Sequence, residues 1–182
     1  LVPTGMSAVI GGDEVEILAK LASLDLHPAN YNGGGQLVVA GELSALAKLA
    51  EEPPTGARVI PLQVAGAFHT SYMASAVATL QDAAAIVNTH NPRQTLWTNN
   101  DGSVVSNGQA FRDLLVGQVS SPVRWDLCMN SFAEAGVTGI VELAPAGALV
   151  GLAKRGLKGV PTVAVKTPDD LAAARELIDS AA

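Results

Sequence analysis

The pattern of apolar and polar positions changes period several times along the chain. Residues 6 to 11, MSAVIG, are continuously apolar and close on Gly11 and Gly12, which predicts a buried strand ended by a turn. From Asp13 the period lengthens, with Val15, Ile17, Leu18, Leu21 and Ala22 at helical spacing. Asp13, Glu14 and Glu16 put negative charge at the positive end of that helix. HPANYN and QLVVAG read as short antiparallel strands joined by Gly33, Gly34 and Gly35, because glycine supplies the positive φ of a hairpin loop. ELSALAKLAEE predicts a helix stopped by Pro53 and Pro54, and ARVIPLQV a strand that Pro61 pushes towards an edge. The order βαββαβ over about 60 residues is the split βαβ, or ferredoxin-like, arrangement.

Beyond residue 66 the pattern is different. Met73, Val77, Leu80, Ala84 and Val87 form a helical stripe across SYMASAVATLQDAAAIVN, which Asn91 and Pro92 end. QTLWTN reads as a strand and GQAFRDLLVGQVS as a helix. PVRWDLCMNSFAEAG reads as a helix with Pro122 at its first position and Gly136 as its closing cap. TGIVELA and PTVAVK predict strands, GALVGLAKRG a helix, and TPDDLAAARELIDSAA a last helix with Thr167 as N-cap. Strands and helices alternate here, so a mostly parallel sheet covered by helices is expected. About three strands are too few to hide such a sheet, and an upstream part, absent before LVPTGMSAVIGG, is expected to supply the rest.

Composition narrows the class. The apolar share is 48% but aromatics are only 4%, so the core is built from aliphatic residues and alanine, as is common in α/β proteins. A net charge of -6 argues against binding to nucleic acid or to an acidic membrane surface. The single cysteine, Cys128, cannot form an internal disulfide and fits a reducing cytoplasm; no Cys/His cluster has metal-site spacing. No apolar run reaches the roughly 20 residues of a membrane span.

Four separated stretches then form a series: NYNGGGQLVVAG, GAFHT, VGQVSSPVRW and ELAPAGALVGLAKR. In that order and spacing they resemble the carboxy-terminal part of malonyl-CoA:acyl carrier protein transacylases of bacterial fatty acid synthesis, over residues 3 to about 168. They also resemble the acyltransferase domains of modular polyketide synthases. The resemblance implies an α/β fold in which residues 6–64 are an inserted ferredoxin-like subdomain and residues 65–182 are part of an α/β-hydrolase-like parallel-sheet domain. It also implies a serine on a GxSxG elbow. No GxSxG occurs in this chain, and the family places it upstream.

The implied activity moves malonyl from malonyl-CoA to an acyl carrier protein thiol through an acyl-serine, with no metal or other cofactor. By resemblance His69 is the general acid/base; spacing alone favours a solvated turn histidine. The main-chain oxygen of Gln118 would fix the imidazole tautomer, unless Gln118 is only a solvated helix residue. Phe68 would narrow the acyl pocket against an α-methyl group, a selection worth roughly 1–3 kcal/mol, or it is core filler. Asn32 and Gln36 would border that pocket, or they only flank a hairpin. A strand, not a helix, follows the triple glycine, so a nucleotide phosphate loop is excluded. Lys154, Arg155 and Lys158 could dock an acidic carrier protein or simply cap a helix carboxy-terminus. The rival reading is a noncatalytic fragment, or one half of a cleaved acyltransferase, that folds with its missing amino-terminal piece.

Overall fold

A computed structural model describes residues 2–181. Strand β1 (Thr4–Gly11) leads to helix α1 (Glu14–Ser23), strands β2 (His27–Gly33) and β3 (Gln36–Glu42), helix α2 (Leu43–Glu51) and strand β4 (Ala57–Pro61). The helix expected from Asp13 forms, and Asp13 caps it: its Oδ1 accepts from Val15 N at 3.0 Å and Glu16 N at 3.1 Å. The sheet order β4-β1-β3-β2, with antiparallel pairing throughout, is the order a split βαβ unit produces. Strand β4 lies at the edge, where the missing amide hydrogen of Pro61 does least harm.

Alternation divides this sheet into two faces. Val9, Leu37 and Val39 point to the side covered by α1 and α2, where they pack with Ile17, Leu21, Leu46 and Leu49. Met6, Ala29, Val38 and Ala40 point to the opposite side, and there Ala67, only 1% exposed, packs on them. The second face therefore anchors the segment that carries His69.

The rest of the chain forms a 3₁₀ turn (Ser71–Met73), α3 (Ala74–Ala85), α4 (Gly108–Gln118), β5 (Val123–Arg124), α5 (Trp125–Glu134), β6 (Ile140–Leu143), α6 (Ala148–Gly156), β7 (Thr162–Val165) and α7 (Leu171–Ala181). Three expectations change. QTLWTN contributes only one antiparallel bridge, Trp97 to Val104, because the chain turns back at Asp101 and Gly102. Pro122 does not open a helix. Val123 and Arg124 instead extend beside Asn30 and Tyr31 as a parallel fifth strand, and α5 starts at Trp125. The alternating half therefore adds a strand to the first sheet, and its own sheet has two parallel strands, β6 and β7. Gly136 does close α5 with φ +68, and Thr167 starts the last helical segment, with Asp170 Oδ2 accepting from its backbone N–H at 2.9 Å.

Candidate active site

The GAFHT turn is fastened at four points. Ala67 N donates to Thr4 Oγ1 at 3.2 Å, and Thr70 Oγ1 donates to Ala67 O at 2.7 Å while accepting from Tyr72 N at 3.3 Å. His69 N donates to Val119 O at 3.1 Å. Between these ties His69 adopts φ +61, a left-handed conformation that costs a residue with a Cβ roughly 1–2 kcal/mol. The surrounding bonds over-determine it, which is the usual circumstance in which such strain persists.

His69 Nδ1 lies 2.8 Å from Gln118 O. A carbonyl can only accept, so Nδ1 carries the proton and Nε2 keeps its lone pair. Gln118 is the last residue of α4, and the Val119 carbonyl follows it. Two carbonyls at the negative end of one helix therefore hold the backbone and the ring of one histidine, a ring that becomes cationic when it takes a proton. Gln118 is buried at 8% exposure, so it is not a solvated helix residue.

The other candidates separate. Phe68 precedes His69 and is 40% exposed. Asn32 sits at the register shift between Tyr31 and Gly33 in β2. Gln36 opens β3, and its Oε1 accepts from Arg155 at 2.7 Å. Gly34 and Gly35, at φ +56 and +75, make the two-residue hairpin, and a Cβ on Gly33 would meet Met129 Cε at 2.7 Å. The triple glycine thus serves a turn and a close approach to α5. Arg155 is occupied with Gln36, whereas Lys154 and Lys158 are exposed near the end of α6.

Pattern reading missed the tethers. Thr70 could have been found as an N-cap before SYM, but Thr4 reaches Ala67, and Val119 reaches His69, only through tertiary structure. Glu142 was also missed. Its buried carboxylate accepts from Gly147 N at 2.9 Å, Leu149 N at 3.0 Å and Val150 N at 2.9 Å, at the start of α6. Burial alone would raise this carboxyl, but the three N–H groups and Lys166 outweigh it and hold it below its usual range. Burial, with Asp126 and Asp101 adding to it, pushes the Cys128 thiol up to about 11. Among the described residues no cluster of His, Cys, Asp and Glu could hold a metal ion, and no helix is long and apolar enough to cross a membrane.

Fold and site together define a mixed α/β protein carrying an oriented imidazole. No family model matches the chain. Individual relatives do. The malonyl CoA-acyl carrier protein transacylase of Mycobacterium tuberculosis is 57% identical over 169 residues, covering 93% of this chain and 56% of the relative. The crystal structure of MCAT from Mycobacterium tuberculosis superposes with a TM-score of 0.91 at 56% identity, over 97% of this chain and 57% of that one. A solved complex of a type II PKS acyl-carrier protein with its malonyl-transacylase matches with a TM-score of 0.89 at 28% identity, over 96% of this chain and 58% of that one. The chain is a homologue of malonyl CoA-acyl carrier protein transacylases, and it spans 56% of the length of the Mycobacterium tuberculosis relative.

Proposed function

We propose that the protein containing this chain is a malonyl-CoA:acyl carrier protein acyltransferase, with His69 as its general acid/base. The observation that carries this reading is the 2.8 Å bond from His69 Nδ1 to Gln118 O, which leaves Nε2 as the free base. The nucleophile is a serine supplied from outside the 182 residues, since the chain has no GxSxG. In the first half-reaction the serine oxygen attacks the thioester carbonyl of malonyl-CoA while Nε2 takes its proton. The tetrahedral adduct collapses, the C–S bond breaks, and the imidazolium returns the proton to the coenzyme A thiolate. In the second, the carrier thiol gives its proton to Nε2 and attacks the acyl-serine. The serine oxygen leaves with that proton. Both halves balance without a metal or redox group.

In this reading Gln118 fixes the tautomer through its main-chain oxygen, as a triad carboxylate would. Phe68 narrows the acyl pocket, and Asn32 and Gln36 border its mouth. Residues 6–64 act as the small subdomain and residues 65–182 as part of an α/β-hydrolase-like large domain. The single buried thiol suits a reducing cytoplasm.

The test is transfer of radiolabelled malonyl from malonyl-CoA to a holo acyl carrier protein by the full-length parent protein. Label is expected first on a protein serine and then on the carrier thiol. Label on the carrier thiol without passage through a protein ester would overturn the reading.

A further inference from the structure

The carbonyl that fixes the His69 tautomer belongs to the last turn of a helix, where carbonyls lack i+4 partners; besides the His69 ring it accepts only a long 3.3 Å bond from Ser121 N, which leaves it room to tilt. Something must aim it. The Gln118 side chain folds back so that Nε2 donates to Ser121 O at 2.8 Å and to Pro122 O at 3.0 Å, which uses both amide hydrogens. This draws residues 118–122 into a closed loop. Immediately beyond it, Val123 and Arg124 pair with Asn30 and Tyr31 of β2. Arg124 is held in turn: its guanidinium lies 4.5 Å over the Tyr31 ring, and Nε and Nη2 donate to the two Asp126 carboxylate oxygens at 3.0 and 2.7 Å. The oxygen facing His69 is therefore fixed by α4 on one side and by the edge of the five-stranded sheet on the other.

We propose that the Gln118 side-chain amide is a positioning residue for acyl transfer: by clamping the Ser121 and Pro122 carbonyls it aims the Gln118 main-chain oxygen at His69 Nδ1 and so sets the tautomer of the base. The proposal rests on the acyl-transfer reading above for its kinetic consequence, but the tautomer can be read without any substrate. A group that only supported packing would lower stability and leave the ring unchanged. A group that positions the base changes the ring first.

The test uses the full-length parent protein labelled with ¹⁵N-histidine, as wild type and as Gln118→Met, which matches the length of the side chain and removes both donors. Nitrogen chemical shifts of His69 are expected to show Nδ1–H in wild type and a mixture of Nδ1–H and Nε2–H forms in Gln118→Met. In parallel, kcat should fall on the order of tenfold to a hundredfold with KM for malonyl-CoA nearly unchanged, less than the roughly 10⁴-fold known for a base held in the wrong tautomer. A wild-type Nδ1–H signal retained in Gln118→Met overturns the proposal, whatever the rate. Should that variant not fold, Gln118→Asn decides: its shorter arm cannot reach both carbonyls, so a reduced Nδ1–H fraction supports the proposal and a wild-type fraction overturns it. If wild type transfers no malonyl, the acyl-transfer reading fails while the tautomer comparison still judges this one.

Discussion

In the proposed reading His69 owes its role to where its two ring nitrogens stand. Nδ1 is committed to a helix-terminal carbonyl at 2.8 Å, and the left-handed backbone at φ +61 is held by the Val119 carbonyl. Neither tie can be read from GAFHT alone. Residue type and position gave a histidine between a strand and a helix, and only the ordered set of four motifs pointed to Gln118, 49 residues away. Phe68 is adjacent and 40% exposed, and in the proposed reading it meets the acyl group. Phe68→Ser is expected to raise the methylmalonyl-to-malonyl ratio of kcat/KM, by about tenfold or more if one unaccommodated methyl sets the preference. Competition between the two thioesters in the full-length protein measures it, and an unchanged ratio would remove Phe68 from the pocket. Cys128 behaves in the opposite way. It is buried, its Sγ lies 3.4 Å from Thr98 O, and its thiol is pushed up to about 11. Alkylation near pH 8 is therefore expected to be slow until the protein unfolds, and rapid labelling of the native protein would contradict that.

Among the elements, α4 matters most because its far end presents both carbonyls to His69. Its near end is tightly seated: a Cβ on Gly108 would come 2.2 Å from His90 O, and Gly108 N donates to Asn91 Oδ1 at 3.1 Å. Gly108→Ala must shift the helix or the His90 loop. A loss of about 1–3 kcal/mol is expected, the range typical of overpacking, measured by denaturant unfolding. Helix α6 depends on Glu142. Because its folded-state pKa is depressed, Glu142 contributes stability that is fully present above the unfolded carboxyl value and is lost as pH falls through the folded one. Glu142→Gln should therefore have a lower unfolding midpoint than wild type near neutrality, with the gap closing in acid; a constant gap would contradict it. The sequence made most of these elements legible, since Asp13, Pro61, Gly136 and Thr167 act locally. It failed where partners are distant. Val123 and Arg124 look like a helical first turn after Pro122 until β2 claims them, and QTLWTN looks like a strand although the turn at Asp101 and Gly102 leaves it a single bridge.

On the scale of the whole molecule, the described residues form a well-covered first sheet and a poorly covered second one. A cavity of about 510 Å³ opens beside β6, lined by Trp97, Trp125, Phe132, Ile140, Leu143 and Leu149, and the Trp125 indole N–H is buried without a partner. Ile86, Leu143 and Ile178 are 85%, 70% and 60% exposed. Apolar surface of this extent favours association. The 182 residues expressed by themselves are expected to bind an apolar dye and self-associate, and the full-length parent to do neither; a dye-silent monomer would contradict that. In the proposed reading the proton acceptor and its nucleophile lie in different parts of the protein and are separable by experiment. If His69 serves a serine outside these residues, single-turnover acylation of the full-length parent by malonyl-CoA, followed by intact mass, will report it. His69→Ala is expected to slow formation of the malonyl-enzyme on the order of 10²–10⁴-fold while leaving the fold intact. Acylation at a near-wild-type rate in that variant would contradict the account.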